Sequence, residues 1–369
     1  MLSSLDGLTN LESLSGGLII SNNDALISLS GIEGITSIGG NLFIEWNNSL
    51  SSLQGLQNVS AASIEGLWVD NNQNLSDCAI QNIFDCIANP EGSINIFNNS
   101  SGCDNPHEIA DVCGFPLSCL PFGNYYFLTQ ADIDSFPMYY SNCNALSGFV
   151  KINGENIYNL DSLSGIDSIM GSFFICGNSN LSSLNGLINL SEIQGDLNIG
   201  YWECGGNPGL TSMMGLNNLA SVGDGMLILG NAGLLSLTGL DTLTTIGGWL
   251  QVSYNERLAD LAGVGKLNSV GTLDISGNDS LLSLDGLQNL INIGGNISIG
   301  YNPLLTTLTG LENFNTDLIS SLWITNNESL TECNIQSICD YLNNPDVYTT
   351  IHDNAPGATA RRRWRQRVV

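Results

Sequence analysis

An asparagine stands three residues before a leucine at ten places in this chain: Asn23, Asn47, Asn72, Asn178, Asn207, Asn231, Asn255, Asn278, Asn302 and Asn327. Within the two runs Leu26 to Leu75 and Leu181 to Leu330 the leucines that answer them recur every 23 to 25 residues, with one interval of 29 between Leu181 and Leu210. A fixed period of this size means that the chain folds as stacked, near-identical rungs, each resting on its neighbours. The ten asparagines read as one internal ladder. An amide side chain has donors and an acceptor, and can serve backbone groups of its own rung and of the next.

Each rung carries short Leu-x-Ile or Leu-x-Val segments, which predict strands with two inward apolar residues around one outward residue. Glycine pairs follow, as at Gly39 and Gly40, Gly247 and Gly248, and Gly294 and Gly295. Such pairs break helices and suit tight turns. A leucine-rich-repeat horseshoe has a similar period but usually places a helix or 3₁₀ segment on its outer side. The glycine-broken stretch here argues instead for a mainly β fold, a right-handed parallel β-solenoid.

The repeat is interrupted between residues 76 and 159. Residues 78–88 read as a helix ending at Asn89 and Pro90, a cysteine-rich stretch follows, and Thr129 to Asp132 reads as the capped start of a second helix. Residues 71–90 match residues 326–345 at a constant offset, including Cys78 with Cys333, Gln81 with Gln336, Asp85 with Asp340, and Asn89-Pro90 with Asn344-Pro345. We read two tandem domains. Residues 1–119 form a first solenoid, truncated at its start and closed by a cysteine-rich cap. Residues 120–357 form a second with an N-terminal cap. No signal peptide is legible, and the natural N-terminus is expected upstream. Residues 358–369 form a basic tail foreign to the rest, as from a shifted frame, a misplaced gene end or a cloning remnant.

These residues resemble the receptor L-domain family, and more closely the L-domain-like repeats of secreted or surface bacterial proteins. The likeness is carried by units such as Ser28 to Ile44, by the cap from Cys333 to Leu342, and by Leu120 to Gly123 with Thr129 to Asp134. It spans nearly the whole chain to Gly357. It implies an extracellular or cell-surface, non-enzymatic recognition or adhesion module that binds glycan or protein, with no catalytic residue to transfer.

Composition narrows the alternatives. The chain has 35 acidic and 8 basic residues, a net charge of -27. Five of the basic residues lie between Arg361 and Arg367, leaving Lys151, Arg257 and Lys266. Nucleic-acid binding, which needs cations to replace counterions, is excluded. Anionic membrane surfaces are disfavoured for the same reason, and no apolar run is long enough to span a bilayer. A β-helix enzyme acting on acidic polysaccharide would need the missing cations. Paired carboxylates of a glycosidase are conceivable, but nothing in the sequence singles out two.

The ten cysteines point to an oxidising compartment. Cys78, Cys86, Cys103 and Cys113 are expected to form two disulfides in the first cap, with three possible connectivities. Cys119 with Cys143 would staple the next cap, and Cys176 with Cys204 would bridge the insertion at residues 201–206. Zinc is the weaker use of these cysteines, since Cys-x-x-Cys is absent and His107 and His352 are the sole histidines. No cofactor is required. Calcium is possible, with Asp24, Asp70 and Asp279 in turns as candidates.

The candidate binding residues are aromatics expected on outward faces: Phe43, Trp46, Trp68, Tyr201, Trp202, Tyr254, Tyr301 and Trp323. A second row, Ser28, Ser52, Ser183, Ser212, Ser236, Ser283 and Thr307, raises ice binding, although Asp260 breaks it. Asn47, Asn58 and Asn189 lie in glycosylation sequons. A structural spacer within a larger surface protein is the alternative without a ligand.

Overall fold

The computed structural model describes residues 2–114, 117, 119–120, 123–333, 335–343, 348–356 and 358. Most of the basic tail, Gly357, Asn344 and Pro345 of the repeated cap, and Pro121 and Phe122 lie outside the described residues.

The fold is mainly parallel β with few helices. The chain divides into two compact units. One comprises residues 1–126 and 136–149, the other residues 127–135 and 150–369. In the first unit β1 (Leu18–Ser21), β2 (Gly40–Glu45), β3 (Ile64–Asp70) and β4 (Ile94–Phe97) form a parallel sheet in chain order. In the second, β5 (Val150–Ile152), β6 (Phe173–Ile175), β7 (Leu197–Ile199), β8 (Met226–Leu229), β9 (Trp249–Ser253), β10 (Thr272–Ser276), β11 (Asn296–Gly300), β12 (Ser321–Thr325) and β13 (Tyr348–His352) do the same. Equivalent residues pair rung to rung: Leu250 with Leu273, Leu273 with Ile297, Ile297 with Leu322. A second ribbon of two-residue strands, among them Ser221–Val222, Thr245–Ile246 and Ser269–Val270, repeats the arrangement one turn earlier in each rung.

The apolar spacing explains the core. Inward residues of each long strand, such as Leu42 and Ile44 or Leu273 and Ile275, are buried. Between strands a leucine or isoleucine recurs every three residues, and its N–H bonds the carbonyl three back, as Leu26 to Asn23, Ile35 to Ile32 and Leu56 to Leu53. Each such turn points its apolar side chain inward. The polypeptide between strands is therefore a staircase of tight turns, drawn into short 3₁₀ segments at Asp6–Leu8, Ala61–Ser63, Asp161–Leu163, Asn185–Leu187 and Thr316–Leu318.

The glycine pairs serve a closer purpose than flexibility. A side chain on Gly247 would run into the carbonyl of Gly223 on the preceding rung. Neither Gly247 nor Gly248 has positive φ, so the glycine is demanded by rung-to-rung contact. Gly239, by contrast, has φ +114 and also abuts the backbone of Met213.

The first cap helix is shorter than its sequence limits. α1 covers Gln81–Ala88 rather than 78–88, because Asp77 still pairs with Ser52 as a β-bridge and Cys78 is held in a disulfide. α2 covers Pro106–Val112 behind the cap Asn105, whose side chain accepts the Glu108 N–H at 3.0 Å. α3 covers Gln130–Tyr139. It opens with a reciprocal cap: Thr129 Oγ1 accepts the Asp132 N–H, and Asp132 Oδ2 accepts the Thr129 N–H at 2.7 Å. α4 covers Gln336–Leu342 and repeats the Gln-to-Asp side-chain bond of α1, 2.7 Å in both.

The asparagine column binds the rungs together. Asn255 Nδ2 donates to Ile228 O on the rung before, to Ser253 O on its own rung and to Asn278 Oδ1 on the rung after. Its Oδ1 accepts the Asn231 N–H at 3.0 Å. The same pattern holds at Asn47, Asn72, Asn231, Asn278, Asn302 and Asn327. Two further members were not legible. Asn99 and Asn354 lack the following leucine, yet accept from Asn72 and Asn327 and close each column at its C-terminal end. Their signal was a preceding strand alone.

Three disulfides are present: Cys78–Cys103, Cys119–Cys143 and Cys176–Cys204. The expected second bridge of the first cap is not formed. Cys86 lies buried on the inner side of α1 with its thiol toward Ala61 O, whereas Cys113 is exposed beyond the end of α2. Cys333 and Cys339 are also free. Disulfides of this kind form in oxidising compartments. Among the described residues no helix is long and apolar enough to cross a membrane.

Replacing Asn255 by Leu would orphan the buried Asn231 N–H and the Ile228 carbonyl. We expect a loss of about 2–5 kcal/mol in urea unfolding of the whole chain. Asn289→Ala removes one exposed side-chain bond to Gly265 O and should cost under ~1 kcal/mol. A thiol reagent should titrate four free thiols after denaturation. Under native conditions Cys113 should react early and Cys86 late, since burial pushes the Cys86 thiol up to about 12.

Candidate ligand-binding faces

The outward residues of the long sheets form rows across the rungs. In the first unit the row is Ile19, Phe43, Trp68 and Asn95. Phe43 and Trp68 stack with ring centroids 4.5 Å apart, and Phe97 stacks on Tyr126 at 3.8 Å. In the second unit the row is Lys151, Phe174, Asn198, Leu227, Gln251, Asp274, Ser298 and Trp323. Asn198 and Leu227 face outward yet are buried. Trp249 lies across Gly225 beside Leu227, and Phe174 meets Tyr201 edge-on at 5.1 Å, so rings crowd this end. Trp249 was not among the sequence candidates. Trp323 is half-buried against Tyr348, 6.0 Å away.

The remaining candidates stand at a corner. Except at Gly206 before Asn207, the residue directly before a ladder asparagine adopts the left-handed conformation: Asn22, Trp46, Asn71 and Asn98 in the first unit, and Gly177, Gly230, Tyr254, Gly277, Tyr301, Asn326 and Asp353 in the second. Gly, Asn and Asp accept this geometry readily. An aromatic does not, and holding one there costs roughly 1–2 kcal/mol. Trp46 (φ +57), Tyr254 (φ +57) and Tyr301 (φ +56) are nevertheless placed there, and all three are exposed. They recover little of that cost by burial.

Tyr201 and Trp202 come from the insertion. There Tyr201 forms an antiparallel bridge with Gly205, and the Cys176–Cys204 disulfide holds the loop. Trp202 is exposed and touches Tyr254, with centroids 5.7 Å apart.

The hydroxyl row is already engaged. Ser52, Ser183, Ser212, Ser236, Ser283 and Thr307 each accept the N–H two residues on, and Asp260 does the same for Ala262. Asp260 therefore continues the row in function, as a turn acceptor. Ser28 bonds Ser30.

The metal candidates are dispersed. Asp24 accepts the Asn48 amide at 2.9 Å, Asp70 is buried beside Asn71, and Asp279 is exposed on a different unit. Among the described residues no three His, Cys, Asp or Glu side chains converge on one point. His107 packs on Tyr139 at 4.3 Å, and His352 lies 2.7 Å from Asp353. Asn47 of the first sequon is fully buried, and the Asn58 and Asn189 amides bond backbone carbonyls of the preceding rung.

Two carboxylates do stand side by side. Glu45 and Asp70 occupy paired positions on β2 and β3. Burial pushes Asp70 up to about 6; the Asn71 amide opposes this and the Glu45 charge adds to it. Glu45 is raised by burial as well.

No protein-family model and no curated protein matches this chain.

A carboxyl raised in the folded state favours folding most below its unfolded value and loses that contribution as pH rises through the folded one. Asp70→Asn should therefore raise the unfolding midpoint at pH 7 and leave it unchanged at pH 4, measured by thermal melts at the two values.

Proposed function

We propose that this chain is an extracellular or cell-surface recognition module without enzymatic activity, which holds a glycan or a protein on its aromatic-bearing sheet and corner. Its architecture in this reading is a pair of tandem right-handed parallel β-solenoids of receptor L-domain type, divided near residue 120. The observation that carries the reading is the placement of Trp46, Tyr254 and Tyr301. Each is exposed at a left-handed backbone position that Gly or Asn fills at lower cost on neighbouring rungs. A structural account does not call for an aromatic there, since it buries little. The disulfides support an oxidising, extracellular setting. The large acid excess favours uncharged or cationic partners.

The Glu45–Asp70 pair is the observation that favours a second, hydrolytic reading. It lies next to the stacked Phe43 and Trp68 on the same sheet.

A glycan array and a surface-protein pull-down, each with and without calcium, test the recognition reading. We expect retention in at least one of them. Silence in both would leave the spacer reading, and release of reducing ends that Glu45→Gln abolishes would establish the hydrolytic one.

A further inference from the structure

Along the corner of the second unit, Tyr254 and Tyr301 stand two rungs apart with a glycine between them. The register runs through Ile175, Ile199, Ile228, Val252, Ile275 and Ile299. The corner residues that follow are Gly177, Gly206, Gly230, Tyr254, Gly277 and Tyr301, and the insertion before Gly206 carries Tyr201 and Trp202. Gly277 leaves room for a ring. A Cβ at Gly277 would sit 2.9 Å from the Tyr254 ring, so that ring lies across the following rung. Trp202, next to Tyr201, reaches back to Tyr254 over the intervening glycine rung. Trp202, Tyr254 and Tyr301 are 62%, 56% and 64% exposed. Neighbouring strands lie 4.7–4.9 Å apart, so the aromatic repeat of two rungs is roughly 9.5 Å.

We propose that this row binds a neutral, extended β-linked polysaccharide whose chain runs along the row from rung to rung. The inference rests on the recognition reading above and narrows it to one ligand class. In a β-1,4-linked hexopyranose chain the hydroxyls are largely equatorial, which leaves each ring two C–H faces able to pack on an aromatic. Successive sugars are turned over, so the chain repeats every disaccharide. That repeat is close to the two-rung spacing of the tyrosines. Contacts on one corner can therefore stay in step along the ligand. A coiled α-linked glucan would lose step after one contact. A uronate chain would be repelled, because the body of the protein sets 35 acidic residues against Lys151, Arg257 and Lys266. Gln251 and Asp274 lie side by side on the adjoining sheet face and supply donors and acceptors for hydroxyls at the sugar edge.

The test uses the full chain in affinity electrophoresis and pull-down with β-1,4-glucan and β-1,4-linked N-acetylglucosamine polymers. Starch and polygalacturonate serve as comparators. The variants are Tyr254→Gly, Tyr301→Gly and the double change. Glycine suits φ +57 and +56 better than tyrosine, so the melting temperature should stay or rise. We expect retention by a β-1,4-linked polymer and by neither comparator, weakened about tenfold or more by each substitution. The proposal falls if no β-1,4-linked polymer is retained, if the comparators are retained equally, or if the double variant binds like the parent. It also falls if the substitutions lower the melting temperature, since the rings would then be packing elements. A parent that captures a protein but no β-1,4-linked polymer would overturn this ligand class and leave the recognition reading standing. Silence toward proteins and all glycans would remove both.

Discussion

The buried asparagine column is the interaction on which the rest of the fold depends. Every rung turns sharply after its long strand, and the turn leaves backbone carbonyls pointing into a space that water does not reach. An unpaired buried carbonyl or N–H is expensive. One amide side chain satisfies carbonyls on two rungs and passes a bond to a third, as Asn255 does for Ile228, Ser253 and Asn278. Because each amide needs the next, the column also sets the registration of the rungs. It ends where a different acceptor takes over, as Asp104 does for the Asn99 N–H in the first unit.

That column imposes a second constraint one residue earlier. To bring the asparagine inward, the preceding residue enters the left-handed region on every rung but that of the insertion, at Asn22, Trp46, Asn71 and Asn98 and again between Gly177 and Asp353. The corner therefore projects a row of side chains outward at strand spacing. Most rungs settle on Gly, Asn or Asp, the types that tolerate the backbone. The three aromatic exceptions spend folding energy on exposed rings. The same geometry that secures the core thus provides a regular external row on which ligand contacts can be built. The acidic surface around it limits what may approach.

The repeat made much of this legible. Leu42 and Ile44, Leu273 and Ile275, and their equivalents could be assigned inward because a two-residue period and a 24-residue period agreed. The asparagines could be aligned on the leucine three places on. Asn99 and Asn354 escaped that alignment because the rungs they close are followed by cap residues, not by another leucine. The hydroxyl row was legible as a row, but its use was not. Whether Ser52 or Ser183 faces solvent freely or bonds the N–H two residues on is decided by the local turn, not by residue type. Cys86 and Cys113 show the same divide. Their number and nearness in sequence predicted a bridge, whereas the fold turns Cys86 inward on α1 and leaves Cys113 outside, beyond the end of α2.

The sequence by itself determined the rung length, the parallel β class, the apolar interior, the amide column and the acidic surface. All of these follow from periodicity and composition, which act through near neighbours and repeat identically along the chain. Only the tertiary structure decided which backbone positions are left-handed, which cysteines meet, which outward residues are covered and which carboxylates stand together. Tyr254 beside Gly277, Trp249 over Gly225, and Glu45 against Asp70 are pairings between residues about a rung apart. They depend on where each turn delivers its side chain in space, and the order of residues along the chain does not carry that information.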